Sequence, residues 1–183
     1  DIQVQLDRRR PGQSDLATPR QEADRVEVMS GLENGVTLGT PIAMWVRNQD
    51  PRPGDYAELR SAPRPSHADY TYQVKYGVVA QSGGGRSSAR ETVGRVAAGA
   101  VAEQFLIQRY GVDIVAWVSA VSDISVVLPE DGSLSRAQVD RHPVRCPDRA
   151  AAEEMARRIR EARDEGDSLG GVITGVCRGV PAG

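Results

Sequence analysis

Residues 88–109, "SARETVGRVAAGAVAEQFLIQR", constrain this chain more than any other stretch. Val93, Ala97, Val101 and Phe105 recur every four residues, which predicts one helix from Ala89 to about Arg109 with a single apolar stripe. Ser88 and Glu91 have capping-box spacing, in which each side chain satisfies a free backbone N–H of the first turn. Gly94 and Gly99 each weaken such a helix by about 1 kcal/mol relative to alanine. Small residues there admit a close neighbour, so the helix is read as central and buried. Gly111 is a suitable stop.

A long buried helix needs apolar elements around it. "RVEVMSG" (25–31) alternates Val26 and Val28 with charged neighbours, the period of a half-buried strand. "ENG" follows as a turn, and "VTLGTPIAMWVRN" (36–48) returns as a second strand interrupted by Gly39 and Pro41. "VDIVAWV" (112–118), "DISVVLP" (123–129) and "GGVITGVC" (170–177) are further strands. A surface helix spans about Arg149 to Arg163 after Pro147 and Asp148, with Met155, Ile159 and Ala162 as its stripe and Glu153 and Glu154 facing Arg157 and Arg158. Residues 48–66, rich in proline and charge, read as a long functional loop. The elements mix without a βαβ rhythm, which predicts an α+β fold with antiparallel sheet. With 183 residues the chain is read as a single domain, 1–183. Aromatic residues make up only 4%, so its core must be Val, Ala, Leu and Ile.

Composition excludes some functions. A formal net charge of −2 disfavours a dedicated nucleic-acid binder. Cys146 and Cys177 form no C-x-x-C pair and have only His67 and His142 beside them, which disfavours a metal site. No apolar run approaches a membrane span and no signal peptide opens the chain, so the expectation is soluble and intracellular, without a membrane partner. Both ends read as cut from a longer protein.

Three clusters carry chemistry. "GGGRSSARE" (83–91) sets glycines, two hydroxyls and two guanidiniums at a helix start, where free N–H groups already favour an anion. It lacks the Gly-Lys-Ser/Thr of a Walker loop, and the same residues equally describe a glycine turn before a capped helix. "RPSHADYTYQVKYG" (64–77) holds His67, a side chain suited to proton transfer near neutral pH, or else a loop histidine bonded to backbone. His142 lacks a polar cluster and takes the backbone-bonded reading. "LDRRRPGQS" (6–14) sets three arginines against a Pro-Gly turn, as a solvated run or as a clamp for phosphate or carboxylate.

Taken together, "LDRRRPGQS", "RVEVMSG", "TLGTPIAM", "RPSHADYTYQVKYG" and "GGGRSSARETVGRVAAGA" resemble chorismate synthase, in that family's order and down to "VRCP" and "GDSLGGVITGVCRGVP". The Ser66 form of the histidine motif and "VRCP" resemble the plant-like branch. The resemblance implies a β-α-β sandwich, with antiparallel sheets around a central helical layer, assembled as a homotetramer. It implies a carbon–oxygen lyase of the shikimate pathway, which removes phosphate from 5-enolpyruvylshikimate 3-phosphate by anti-1,4-elimination and requires reduced FMN. Arg86, Ser87 and Ser88 then correspond to flavin-contacting residues, and His67 to one of two catalytic histidines. Arg9 corresponds to an arginine that binds substrate or, in bifunctional members, NADPH. No metal is implied. The location is cytoplasmic, or plastid for a plant or alga.

The chain also departs from the family. The "GESHG" segment with the other histidine, and the C-terminal half with the catalytic aspartate, lie outside these residues. The resemblance therefore covers about half of a member and implies that these residues alone do not turn over. Asp15 stands where many members carry arginine, and the "RDYR"-like stretch before the glycines is missing. The alternative is a non-catalytic anion-binding or assembly module.

Overall fold

The computed structural model of the chain describes residues 2–49, 62–65, 67–78, 85–128 and 133–181. They divide into two compact units, residues 1–11 with 20–101 and residues 12–19 with 102–183. Helices combine with antiparallel sheets, so the α+β class holds.

In the first unit, α1 (Ile2–Arg9) is followed by β1 (Val26–Ser30), β2 (Leu32–Glu33), β3 (Val36–Thr37) and β4 (Ala43–Val46). The strands pair antiparallel as β1 with β4 and β2 with β3. The inner hairpin turns on Asn34 and Gly35, both at positive φ (50° and 79°), as a two-residue primed turn requires. At Gly31 (φ 87°) the chain crosses itself so closely that a Cβ would lie 2.7 Å from the Pro41 carbonyl oxygen. After α2 (Asp69–Tyr76), two 3₁₀ turns, Gly85–Ser87 and Ala89–Glu91, lead into α3 (Thr92–Tyr110), which begins in this unit and ends in the other. Leu6, Val93 and Ala97 are buried together, packed by Ile2, Val26, Met44, Val46 and Val96.

The second unit builds a three-stranded sheet in the order β6-β5-β7, from β5 (Asp113–Val121), β6 (Ile124–Ser125) and β7 (Gly171–Arg178). Short α4 (Arg136–Val139) starts from a complete capping box, Ser135 with Gln138. In α5 (Arg149–Asp164) the Asp148 carboxylate accepts from the Ala151 N–H, so the expected start holds. Its buried stripe is wider than expected, Ala152, Met155, Ala156 and Ala162. Val121, Val144 and Cys146 close that core, with Leu16 packed against it. Cys177, on β7, is exposed.

Several expectations are corrected. Phe105 is 58% exposed, in edge-to-face contact with Tyr110. Steps of four residues advance about 40° beyond a full helical turn, so three such steps carry Phe105 about 120° around α3 from Val93. The stripe that packs is Val93, Val96, Ala97 and Ala100, at spacings of three and four. Beyond the helix's own nearby backbone and the adjoining residues, no described atom would lie within 4 Å of a Cβ at Gly94 or Gly99, so the close neighbour expected there is not found among the described residues. The Ser88 capping box does not close. Ser88 Oγ accepts from the Arg90 N–H, because the first turn is a tight 3₁₀ turn, and the Glu91 carboxylate turns to Arg86 and Arg95. Among the described residues of "DISVVLP" only Ile124–Ser125 is strand. Of the expected pairs along α5, Glu154 with Arg158 holds at 3.6 Å, whereas Glu153 pairs with Arg149, and Arg157 with Glu154 and Glu161. The loop expected over 48–66 lies mostly outside the described residues.

Candidate functional site

α2 positions the first cluster. Ala68 cannot cap it, and Asp69 supplies the negative charge that a first helical turn favours. The Asp69 carboxylate takes a two-pronged contact from Arg64, Nε to Oδ2 at 2.7 Å and Nη2 to Oδ1 at 3.1 Å. Those bonds hold its carboxyl well below the usual range, at about 2, against the opposing effect of desolvation; the charge of His67 adds a smaller push downward. His67 Nδ1 lies 3.0 Å from Asp69 Oδ1. That contact is close enough for an ion pair but is not aligned as a hydrogen bond, so the buried ring nitrogen has no bonded partner among the described residues. Ser87 Oγ stands 3.4 Å from the same Oδ1.

The second cluster surrounds Asp24, whose side chain is fully buried and whose φ is 44°. One of its oxygens accepts from Arg9 Nη1 at 2.7 Å, the other from Arg90 Nη1 at 3.1 Å. Arg9 Nε donates to Thr92 Oγ1 at 3.0 Å. Arg90 Nη2 donates to the Arg47 carbonyl at 2.9 Å and lies 3.8 Å from Glu22 Oε2. Glu22 is 5% exposed and also accepts from the Gln49 N–H. Two guanidiniums against two buried carboxylates make the cluster electrically balanced, which burial of charge requires.

The turn 85–92 joins both clusters. Ser87 reaches Asp69, while Arg90 and Thr92 reach Asp24 and Arg9. Arg86 is mostly exposed and donates to Glu91 Oε2 at 3.1 Å. Ser88 spends its oxygen on the Arg90 N–H. All five expected residues, Arg9, His67, Arg86, Ser87 and Ser88, thus stand in the first unit along one turn and its two carboxylate anchors. Gly83 and Gly84 of the glycine run, and Ser66, lie outside the described residues.

Sequence reasoning missed the anchors. Asp69 had a local signal, since it follows His67 by two residues. Asp24, Glu22 and Thr92 had none, because their partners are distant in the chain. His142 bonds to backbone as expected, its Nδ1 accepting from the Val144 N–H. Asp15 belongs to the second unit, where Arg160 Nε bonds its carboxylate at 2.6 Å and holds its pKa below the ordinary value. A cavity of about 600 Å³ also opens on the second unit, lined by Trp117, Leu128, Leu134, Thr174 and Arg178 among others, and no expected site residue lines it. Among the described residues, no three metal-ligating side chains converge, and no helix is long and apolar enough to cross a membrane.

The model of the chorismate synthase family matches residues 1–183. The chain is 55% identical to the chorismate synthase of Schizosaccharomyces pombe over an alignment covering 100% of this chain and 53% of that one. It is 57% identical to that of a Synechococcus species, covering 100% and 50%. A crystal structure of chorismate synthase superposes with a TM-score of 0.66 at 28% identity, over 98% of this chain and 49% of the other. The chain spans about half the length of the curated relatives it matches.

Proposed function

The chain belongs to the chorismate synthase family, and from that premise we propose that its full-length protein converts 5-enolpyruvylshikimate 3-phosphate to chorismate and phosphate with reduced FMN. One ring C–O bond and one ring C–H bond break and a ring double bond forms, with no net change in oxidation state. The observation that carries the site assignment is Asp69, on whose single carboxylate His67 and Ser87 meet.

The residues present suit an anionic flavin: an exposed guanidinium at Arg86 and a hydroxyl at Ser87 stand beside His67, whose Nδ1 is turned to Asp69. Arg86 and Ser87 would hold it, with the Ser88 hydroxyl engaged in shaping the turn. Reduced FMN, when bound, supplies transient electron density to the ring as phosphate departs. Asp69 sits against His67 Nδ1, which leaves Nε2 as the nitrogen that exchanges a proton. Arg9 faces the substrate's negative charge; the same reading extends to a homotetramer and, in bifunctional members, to NADPH at that arginine.

Anaerobic assay of the full-length protein, with reduced FMN and 5-enolpyruvylshikimate 3-phosphate, tests the reading by the appearance of chorismate and phosphate. No product under those conditions would overturn it.

A further inference from the structure

Arg9 and Arg90 share one buried carboxylate, yet their guanidiniums are not equally committed. Arg90 gives Nη1 to Asp24 and Nη2 to the Arg47 carbonyl. Arg9 gives Nε to Thr92 and Nη1 to Asp24, and its Nη2 has no acceptor among the described residues. Its side chain keeps 20% exposure, whereas that of Asp24 has none. A guanidinium fixed on two nitrogens loses little further freedom when an oxyanion binds the remaining edge.

We propose that Asp24 and Thr92 are positioning residues for Arg9, orienting its outer Nη2 edge toward a phosphate or carboxylate oxygen of the ligand, while Arg90 serves as the internal counterion of Asp24. The inference rests on the reading of Arg9 as an anion-binding residue. Asp24 is suited to the task. Its backbone is left-handed, a conformation aspartate tolerates better than most residues. The Gln3 side chain pins it, with Nε2 donating to the Asp24 carbonyl at 3.2 Å and Oε1 accepting from the Val26 N–H at 3.0 Å. Thr92 is the last link. Its hydroxyl donates to the Ala89 carbonyl at 2.7 Å, so its oxygen is held in place to accept from Arg9.

The test is calorimetric titration of the full-length protein with 5-enolpyruvylshikimate 3-phosphate in the presence of oxidised FMN. Thr92→Val keeps the shape and removes the acceptor, and is expected to raise Kd roughly threefold to tenfold, the scale of one lost hydrogen bond. Thr92→Ser restores the oxygen and is expected to restore affinity. Asp24→Asn, which also tolerates left-handed backbone, is expected to weaken binding further; if it does not fold, the Thr92 pair decides. Arg9→Lys is expected to bind weakly, and adding Thr92→Val to it to cause no further loss. A merely structural Thr92 would weaken both backgrounds equally. Wild-type affinity in Thr92→Val, or equal losses in the two backgrounds, overturns the positioning role. Wild-type affinity in Arg9→Lys overturns the underlying reading of Arg9 and the inference with it.

Discussion

Ser87 Oγ stands 3.4 Å from Asp69 Oδ1, the oxygen that also faces His67 Nδ1. The glycine-rich stretch and the histidine motif, separate in sequence, are therefore two sides of one carboxylate.

His67→Ala in the full-length protein is expected to lower kcat by on the order of 10²–10⁴, with a much smaller change in substrate affinity. The split between the two follows from a group that moves a proton without holding the substrate's charge. Steady-state kinetics with a parallel binding titration measure it, and near-wild-type turnover would return His67 to a structural loop position.

The depressed carboxyl of Asp69 makes a pH prediction. Its pKa falls from an ordinary 3.8 to about 2 on folding, chiefly through the bonds from Arg64. The ionised form is thus favoured in the folded state, and the stabilisation is complete above about 4 and lost as pH falls toward about 2. Denaturant unfolding of wild type and Asp69→Asn should show a gap at about pH 4 to 5 that closes as pH falls toward about 2. A gap that persisted unchanged to pH 2 would mean that charge at Asp69 is not its source.

Two glycines of one hairpin should respond differently to alanine. At Gly35 a Cβ meets open space, so the cost is that of the positive φ alone, about 1 kcal/mol. At Gly31 the same φ penalty is joined by a Cβ 2.7 Å from the Pro41 carbonyl oxygen, and the loss should reach about 2–4 kcal/mol. Urea unfolding of the two variants compares them directly.

On α5, two neighbouring positions should also part. Met155 is fully buried, and Met155→Ala should cost about 2–5 kcal/mol. Arg157 is half exposed between Glu154 and Glu161, and Arg157→Lys should change stability by less than about 0.5 kcal/mol. Equal losses would contradict the buried face assigned to this helix.

How much of this was legible depended on whether the signal was local. α3 and α5 were readable because apolar period and an Asp148 cap lie within a few residues of each other. The Asn34-Gly35 turn was readable for the same reason. α1 was hidden by its polarity, since only Leu6 of its eight residues is buried. α2 has no buried residue at all, so its tyrosines presented no stripe to read. At the site, Arg9, His67 and Ser87 could be named from their motifs, but not what fixes them. Asp24 is a charged residue in a polar stretch, and only the arrival of Arg9 and Arg90 makes it a buried anchor.

The contrast between the two thiols supplies a chemical clock. Cys177 lies exposed on β7, whereas Cys146 lies inside the Met155 cluster, where desolvation pushes its thiol above the ordinary value. A maleimide added at neutral pH should therefore label one position at once and the second only when that core opens. The slow addition at Cys146 then times breathing of the second unit without any engineered probe.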